Sequence, residues 1–177
     1  MTTIKPWMDN SEIEFVQKYL KVDDIMLEWG SGGSTFEFSK YVKSYFSVES
    51  SKNFYEKIKD TLPLNVNYFL VRPEDESDLS FSDYRNLGSV KKKDLFLNYI
   101  NFPNTLDQEF YDKVLIDGRA RGFCAEAILP YLKEDSIVFI HDFVKRKQYH
   151  IVLDWYDEID RINYTKATIV ALKRKFN

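Results

Sequence analysis

The stretch from Ile25 to Ser34, IMLEWGSGGS, decides the predicted fold. An apolar run reaches Glu28, the chain then turns through Gly30, Gly32 and Gly33, and a polar segment with helix-capping residues follows. This order is typical of a buried strand, a tight ligand-binding turn and the start of a helix. The sequence therefore predicts a ligand held between a strand end and a helix start.

The rest of the chain continues this alternation. We predict strands at 22–29, 43–50, 65–71, 113–118, 135–143 and 167–175, and helices at 11–21, 34–41, 51–59, 94–100, 121–132 and 148–162. Alternating strands and helices indicate parallel βαβ units. We expect a single domain over residues 1–177, α/β in class, with a Rossmann-like, mostly parallel central sheet and helices on both faces. Residues 72–93 lack periodicity and are interpreted as a loop that shapes the acceptor side.

Composition narrows the class of protein. A formal net charge of -3, from 25 basic and 28 acidic residues, argues against nucleic acid as a partner. The single cysteine, Cys124, excludes an intramolecular disulfide and a Cys-based zinc cluster, and we interpret it as a small buried side chain. Neither a signal-peptide pattern nor an apolar run of about 20 residues is present. We therefore expect a cytoplasmic protein without a membrane partner.

Acidic and basic side chains follow the predicted strands. Ligands of such sheets bind outside the carboxyl ends of the strands. The side chains that stand at these ends are Glu28, Glu49, Asp117, His141 and Asp142. A single cleft can contain them all, and this convergence is the strongest functional signal in the sequence.

The glycine turn distinguishes two cofactors. A dinucleotide turn has the pattern G-x-G-x-x-G, whereas Thr35 stands at the place of the third glycine. Glu28, directly before the turn, would repel a diphosphate but would favour the ammonium and sulfonium groups of S-adenosylmethionine. Glu49 suits the ribose of either cofactor. The turn therefore favours S-adenosylmethionine over NAD.

Four segments carry a resemblance to a known family. The segments LEWGSGGST, SVES, VLIDGRARGFCA and VFIHDF resemble the class I S-adenosylmethionine-dependent methyltransferases. Within them the chain is most similar to small proteins with an E-x-G-x-G-x-S-T first motif and a D-G-R-A-R fourth motif, often proposed to methylate sugars or other small hydroxyl compounds. The resemblance implies a cofactor site formed by Glu28, Gly30, Ser31, Gly32, Ser34, Glu49 and Asp117, with residues 72–75 near the adenine.

The chain departs from the family in two places. Many members end in an antiparallel hairpin of two strands, whereas only one convincing strand, at 167–175, is predicted after the last helix; a short partner strand around 161–164 is the weaker alternative. The N-P-P-Y signature of amide and adenine N-methyltransferases is also absent. Amide and adenine acceptors are therefore less favoured.

Methylation of an alcohol needs a base or a divalent cation, because the hydroxyl is too weak an acid to ionise near neutrality. The candidate catalytic residues are His141, Asp117 and Asp142, with His141 either the base or a group that positions the acceptor. Asp117 and Asp142 could also offer oxygen ligands to Mg²⁺ or Mn²⁺.

Three further residues have two interpretations each. Arg119 and Arg121 either hold an anionic acceptor or anchor the Asp117 loop through ion pairs, and anchoring is slightly favoured. His150 is either catalytic or a packing or solvated side chain, and the second interpretation is favoured.

The predicted function is S-adenosylmethionine-dependent O-methylation of a saccharide or similar polyhydroxyl acceptor. The partner is a small molecule or a glycan, and a homo-oligomer is left open. An NAD-dependent oxidoreductase and a non-catalytic Rossmann-like binding module are the alternatives.

Overall fold

Apolar side chains alternate between the two faces of a seven-stranded sheet. The structure is a computed structural model that describes residues 4–74, 88–163 and 168–176. Its strands are β1 (Ile25–Trp29), β2 (Ser44–Glu49), β3 (Val66–Leu70), β4 (Tyr111–Ile116), β5 (Leu132–His141), β6 (Tyr156–Asn163) and β7 (Thr168–Arg174). Their order in the sheet is β3-β2-β1-β4-β5-β7-β6. Strands β1 to β5 pair in parallel, and β7 runs antiparallel to both of its neighbours.

The helices are short. They are α1 (Asn10–Gln17), α2 (Gly33–Phe38), α3 (Lys52–Ile58), α4 (Ser89–Leu95), α5 (Leu97–Ile100) and α6 (Arg121–Ala127). Single 3₁₀ segments lie at Ser39–Tyr41, Lys59–Thr61, Phe102–Thr105, Leu129–Tyr131 and Lys147–Asp154. In the part of the chain that the structure describes, none of the helices is long and apolar enough to cross a membrane.

Two apolar clusters cover the sheet, one on each face. On the first face, Phe15 of α1 and Phe38 of α2 pack over Met26 and other inward side chains of the central strands. On the second face, Cys124 of α6 lies in a larger cluster that includes Trp29 of β1 and side chains of α4, α5 and the 3₁₀ segment 147–154. The predicted α/β sheet with helices on both faces is confirmed, and so is the burial of Cys124.

The predicted helix at 148–162 is wrong, and the last strand has the antiparallel partner that the sequence offered only as the weaker alternative. The chain forms the 3₁₀ segment Lys147–Asp154 and then β6, which pairs with β7 as an antiparallel hairpin. A register shift between Glu158 and Asp160 interrupts the alternation of inward and outward side chains in β6. This bulge hides the period of two on which strand prediction depends.

The region after β3 differs from prediction as well. The helix expected at 94–100 begins at Ser89 as α4, so that the Lys91-Lys92-Lys93 run lies on a helix rather than in a loop. Most of the predicted 72–93 loop, and the last residue of the 72–75 segment assigned to adenine, lie outside the described residues.

Candidate functional site

The loops that follow β1 and β4 touch each other through two glycines. Gly30 has a φ of +93°, and a Cβ built on it would lie 2.5 Å from the Cα of Gly118. A Cβ on Gly118 would in turn lie 2.9 Å from the Gly30 nitrogen. Only residues without side chains allow this approach. The contact brings the carboxyl ends of β1 and β4 together, as the sequence predicts.

Glu28 lies beneath the turn, fully buried, with its carboxylate directed towards α2. The hydroxyl of Ser34 donates to Oε1, while those of Thr35 and Ser47 donate to Oε2 at 2.6 and 2.9 Å. The hydroxyl of Thr35 also accepts a hydrogen bond from the amide of Gly32 at 3.0 Å. Glu28 therefore supports the turn from below, whereas the sequence analysis places it and Ser34 against the cofactor.

Burial is the main influence on the pKa of the Glu28 carboxyl group. It raises the pKa of this carboxyl to about 7, with a further contribution from the charge of Asp117, and the three hydroxyl donors only partly oppose the shift. Neutral donors stabilise a buried carboxylate less than a cation does.

Glu49 ends β2 beside the turn. Its Oε2 accepts hydrogen bonds from the amide and the hydroxyl of Ser31 at 3.2 and 2.7 Å. Its Oε1 accepts from the amides of Ser50 and Ser51 at 2.8 and 2.7 Å. The structure thus places Glu49, Ser31 and the glycine turn together at one end of the carboxyl edge of the sheet.

His141 is held between two carboxylates at the other end. Its Nδ1 lies 2.8 Å from Oδ1 of Asp117, and its Nε2 lies 3.2 Å from Oε1 of Glu12. Glu12 is buried and also accepts from the amides of Thr168 and Asp9 at 2.8 and 2.9 Å. The helix α1 is thereby tied to the carboxyl end of β5.

This arrangement decides the protonation of His141. Burial lowers its pKa, but the hydrogen bonds and charges of Asp117 and Glu12 outweigh burial and raise the pKa to about 10. For the two carboxyl groups the signs are opposite. Burial raises the pKa values of Asp117 and Glu12, but their cationic partners outweigh burial and hold both pKa values below the usual range. At neutral pH His141 is an imidazolium, so it has no lone pair with which to act as a base.

Arg121 joins the two aspartates at the strand ends. Its guanidinium donates to the carbonyls of Gly118 and His141 and pairs with Asp117 at 3.0 Å and with Asp142 at 3.5 Å. Arg146 pairs with Asp142 at 2.7 Å. Of the two interpretations of Arg121, anchoring of the Asp117 loop agrees with these contacts.

The donor set around Asp117 and Asp142 does not fit a divalent cation. A guanidinium, and not a shared open space, lies between the two carboxylates. Within residues 4–74, 88–163 and 168–176, the structure contains no group of three or more His, Cys, Asp or Glu side chains able to hold a metal ion. Mg²⁺ and Mn²⁺ need several oxygen ligands and would be repelled by Arg121.

No sequence pattern indicates Glu12, Ser47 or Arg146 as site residues. Glu12 stands three residues after Asp9 in the pattern of a helix cap, and it does bond the Asp9 amide. That role gives no hint of a contact with a residue 129 positions later in the chain. His150 packs against the ring of Phe143 at a centroid distance of 4.9 Å, in keeping with a packing role.

The strand order distinguishes this sheet from the dinucleotide-binding one. The latter has the order 3-2-1-4-5-6 with parallel strands, whereas here the antiparallel β7 is inserted between β5 and β6. Solved methyltransferase structures have a similar overall fold. A methyltransferase-like protein from Silicibacter pomeroyi DSS-3 is 19% identical, with a TM-score of 0.71 over 99% of this chain and 91% of that chain.

This chain has a methyltransferase fold. An rRNA methylase from Streptococcus thermophilus is 13% identical, with a TM-score of 0.59 over 93% of this chain and 94% of that chain. A Streptococcus mutans structure described as a methyltransferase in complex with SAH is 11% identical, with a TM-score of 0.58 over 94% and 97% of the two chains. At these identities the likeness is one of fold. No family profile matches the sequence, and no curated protein matches it.

Proposed function

We propose that this protein is an S-adenosylmethionine-dependent O-methyltransferase that acts on a hydroxyl of a saccharide or a similar small polyhydroxyl compound. The observation that carries the proposal is the contact of the Glu49 carboxylate with Ser31 of the glycine turn, at the carboxyl end of a sheet with a methyltransferase fold. An acidic acceptor beside such a turn suits a ribose diol.

The cofactor half of the site would consist of the turn from Gly30 to Gly32 and of Glu49. Glu28 and Ser34 would contribute indirectly, since they hold the turn and the start of α2 in place. Asp117 would border the cofactor from the opposite loop. When bound, S-adenosylmethionine supplies a methyl group that its sulfonium already activates.

Asp117 is the group best placed to receive the acceptor hydroxyl. Both of its cationic contacts, with His141 and Arg121, end on Oδ1, and its side chain keeps 22% of its exposure. In our proposal Oδ2 would accept the hydrogen bond of the attacking hydroxyl and take its proton as the methyl group passes from the sulfonium to the hydroxyl oxygen, with S-adenosylhomocysteine as the leaving group. A low pKa suits late proton transfer, because the hydroxyl becomes strongly acidic only as it gains the methyl group.

The charges around Asp117 favour a neutral acceptor. Three carboxylates, Glu12, Asp117 and Asp142, face three cations, His141, Arg121 and Arg146. This network has no excess charge of either sign to offer to a phosphate or to a cationic substrate. Neutral hydroxyl compounds fit that balance.

Two measurements test the proposal. Calorimetry with S-adenosylhomocysteine should show binding by the wild-type protein, and no binding at millimolar ligand would overturn the cofactor assignment. Transfer of a labelled methyl group should then be assayed against a set of methyl glycosides. Asp117→Asn should reduce transfer about 100-fold or more while leaving affinity for S-adenosylhomocysteine within a few-fold.

The matched control is Asp157→Asn, because Asp157 is 71% exposed and lies at the start of β6, away from the candidate site. Equal loss of transfer in both variants would contradict the role of Asp117. Enhancement of NADH fluorescence without binding of S-adenosylhomocysteine would favour the oxidoreductase instead.

A further inference from the structure

The carboxylate of Glu49, which would bind the ribose in the proposed site, already accepts hydrogen bonds from other groups of the protein. Each carboxylate oxygen of Glu49 accepts two hydrogen bonds, and the side chain is almost fully buried. Three of the four donors are backbone amides, of Ser31, Ser50 and Ser51. The fourth is the hydroxyl of Ser31, at 2.7 Å from Oε2. A side-chain hydroxyl can rotate away, whereas an amide moves only with the backbone.

Tyr68 offers a second partner for that serine hydroxyl. Its phenol oxygen lies 2.7 Å from Oγ of Ser31. The Tyr68 ring is stacked on Tyr55, with centroids 4.6 Å apart and planes inclined by 24°. Stacking restricts the ring and so fixes the phenol oxygen in place. Glu49, Ser31 and Tyr68 thus form a chain of hydrogen bonds that runs from β2 through the glycine turn to β3.

The phenol remains protonated under all ordinary conditions. Burial raises the pKa of Tyr68, the hydrogen bond with Ser31 lowers it, and the charges of Glu49 and Glu28 raise it further, with a net upward shift. A neutral phenol can donate to Ser31 or accept from it. Ser31 can therefore keep a partner whether its own proton points towards Glu49 or towards Tyr68.

We infer that Ser31 and Tyr68 form a hydrogen-bond switch at Glu49. In the free protein the Ser31 hydroxyl satisfies Oε2 of Glu49 in place of a ligand hydroxyl. When a ribose hydroxyl takes that position, the Ser31 hydroxyl turns to Tyr68. The inference rests on the proposed function, because it needs a ribose-bearing ligand at Glu49.

The switch predicts opposite effects of two single substitutions. Ser31→Ala removes the competing hydroxyl but keeps the backbone amide, so affinity for S-adenosylhomocysteine should rise about fivefold, the equivalent of one typical net hydrogen bond. Tyr68→Phe deprives the displaced Ser31 of its partner, so affinity should fall by about the same factor. The Ser31→Ala/Tyr68→Phe double variant should bind like Ser31→Ala alone, because no hydroxyl then has to be displaced.

Isothermal titration with S-adenosylhomocysteine measures all of these affinities. Tyr55→Phe is the matched control, since it removes a phenol oxygen from the same stack and should leave affinity unchanged. Thermal melts of each variant show whether the fold is retained. A merely structural role for Ser31 and Tyr68 would weaken binding in both single variants, and that result would overturn the switch.

Unchanged affinity in all variants would overturn it as well. Absence of binding to the wild-type protein would instead overturn the proposed function, and the switch with it. The wild-type titration therefore separates the two failures.

Discussion

Two regions at the carboxyl edge of the sheet hold their carboxylates by different means. At the turn end, around β1 and β2, Glu28 and Glu49 are satisfied by hydroxyls and backbone amides. At the ionic end, around β4 and β5, the carboxylates pair with His141 and two arginines. The carboxylates at the ionic end are Glu12, Asp117 and Asp142.

Because of this difference, the turn end can change its hydrogen bonds more easily than the ionic end can change its ion pairs. Hydroxyls can exchange one acceptor for another at small cost, so the turn end can accommodate a ligand without breaking the fold. A buried ion network cannot lose one member without leaving an uncompensated charge. The pKa values express the same contrast, because burial prevails at Glu28 and raises its pKa to about 7, whereas cations hold the pKa of Asp117 below its usual range.

The largest effect should come from removal of the central cation of the ionic end. Arg121→Met leaves Asp117 and Asp142 without their shared partner, and we expect it to lower the free energy of unfolding by about 3–5 kcal/mol. Arg146→Met, at a side chain that is 33% exposed, should cost at most about 1 kcal/mol. Urea unfolding of both variants measures the difference. Similar losses would show that the ionic end is not a buried network.

An intermediate effect is expected at the turn end. Glu28→Gln replaces an oxygen that accepts hydrogen bonds by an amide that donates, and should cost about 1–3 kcal/mol at pH 5. The loss in the free energy of unfolding caused by this substitution should be smaller at pH 8 than at pH 5. In the wild type, Glu28 has a pKa of about 7 against the ordinary 4.5, so the folded state binds more protons in this range and loses stability as pH rises through it.

Glutamine does not titrate, so the variant lacks that loss. Urea unfolding at the two pH values provides the test. A cost that grows with pH would contradict the burial of an uncompensated carboxylate at Glu28.

The smallest effect concerns the pH dependence of the ionic end. The pKa of His141 is raised from 6.5 to about 10, so its stabilisation is complete below the unfolded value and is lost as pH rises through the folded one. His141→Gln should therefore cost less at pH 8 than at pH 7, by about 1 kcal/mol, because each pH unit between the two pKa values removes about 1.4 kcal/mol of that stabilisation. His150→Gln, at the other histidine of the sequence, is the control and is measured by the same urea titrations. Equal pH dependence of the two variants would argue against a charged His141.

Local sequence patterns were sufficient to place the strand ends. Apolar runs followed by polar residues located Glu28, Glu49, Asp117 and His141 at the ends of β1, β2, β4 and β5, because a buried strand needs continuous apolar residues and a turn does not. Local patterns do not predict β6, because its bulge and its partly exposed position at the sheet edge break the alternation of apolar and polar residues. Pairing with β7 supplies there the order that the local pattern lacks.

The sequence by itself determined the class of fold, the glycine turn and the set of acidic strand ends, since each depends on residues that are neighbours in the chain. Only the tertiary structure decided what those residues do to one another. It placed Glu28 under the turn, brought Glu12 against His141, and set Arg121 between two aspartates that the sequence offered as alternative metal ligands. Charge state and burial depend on contacts between distant segments, and no local pattern encodes them.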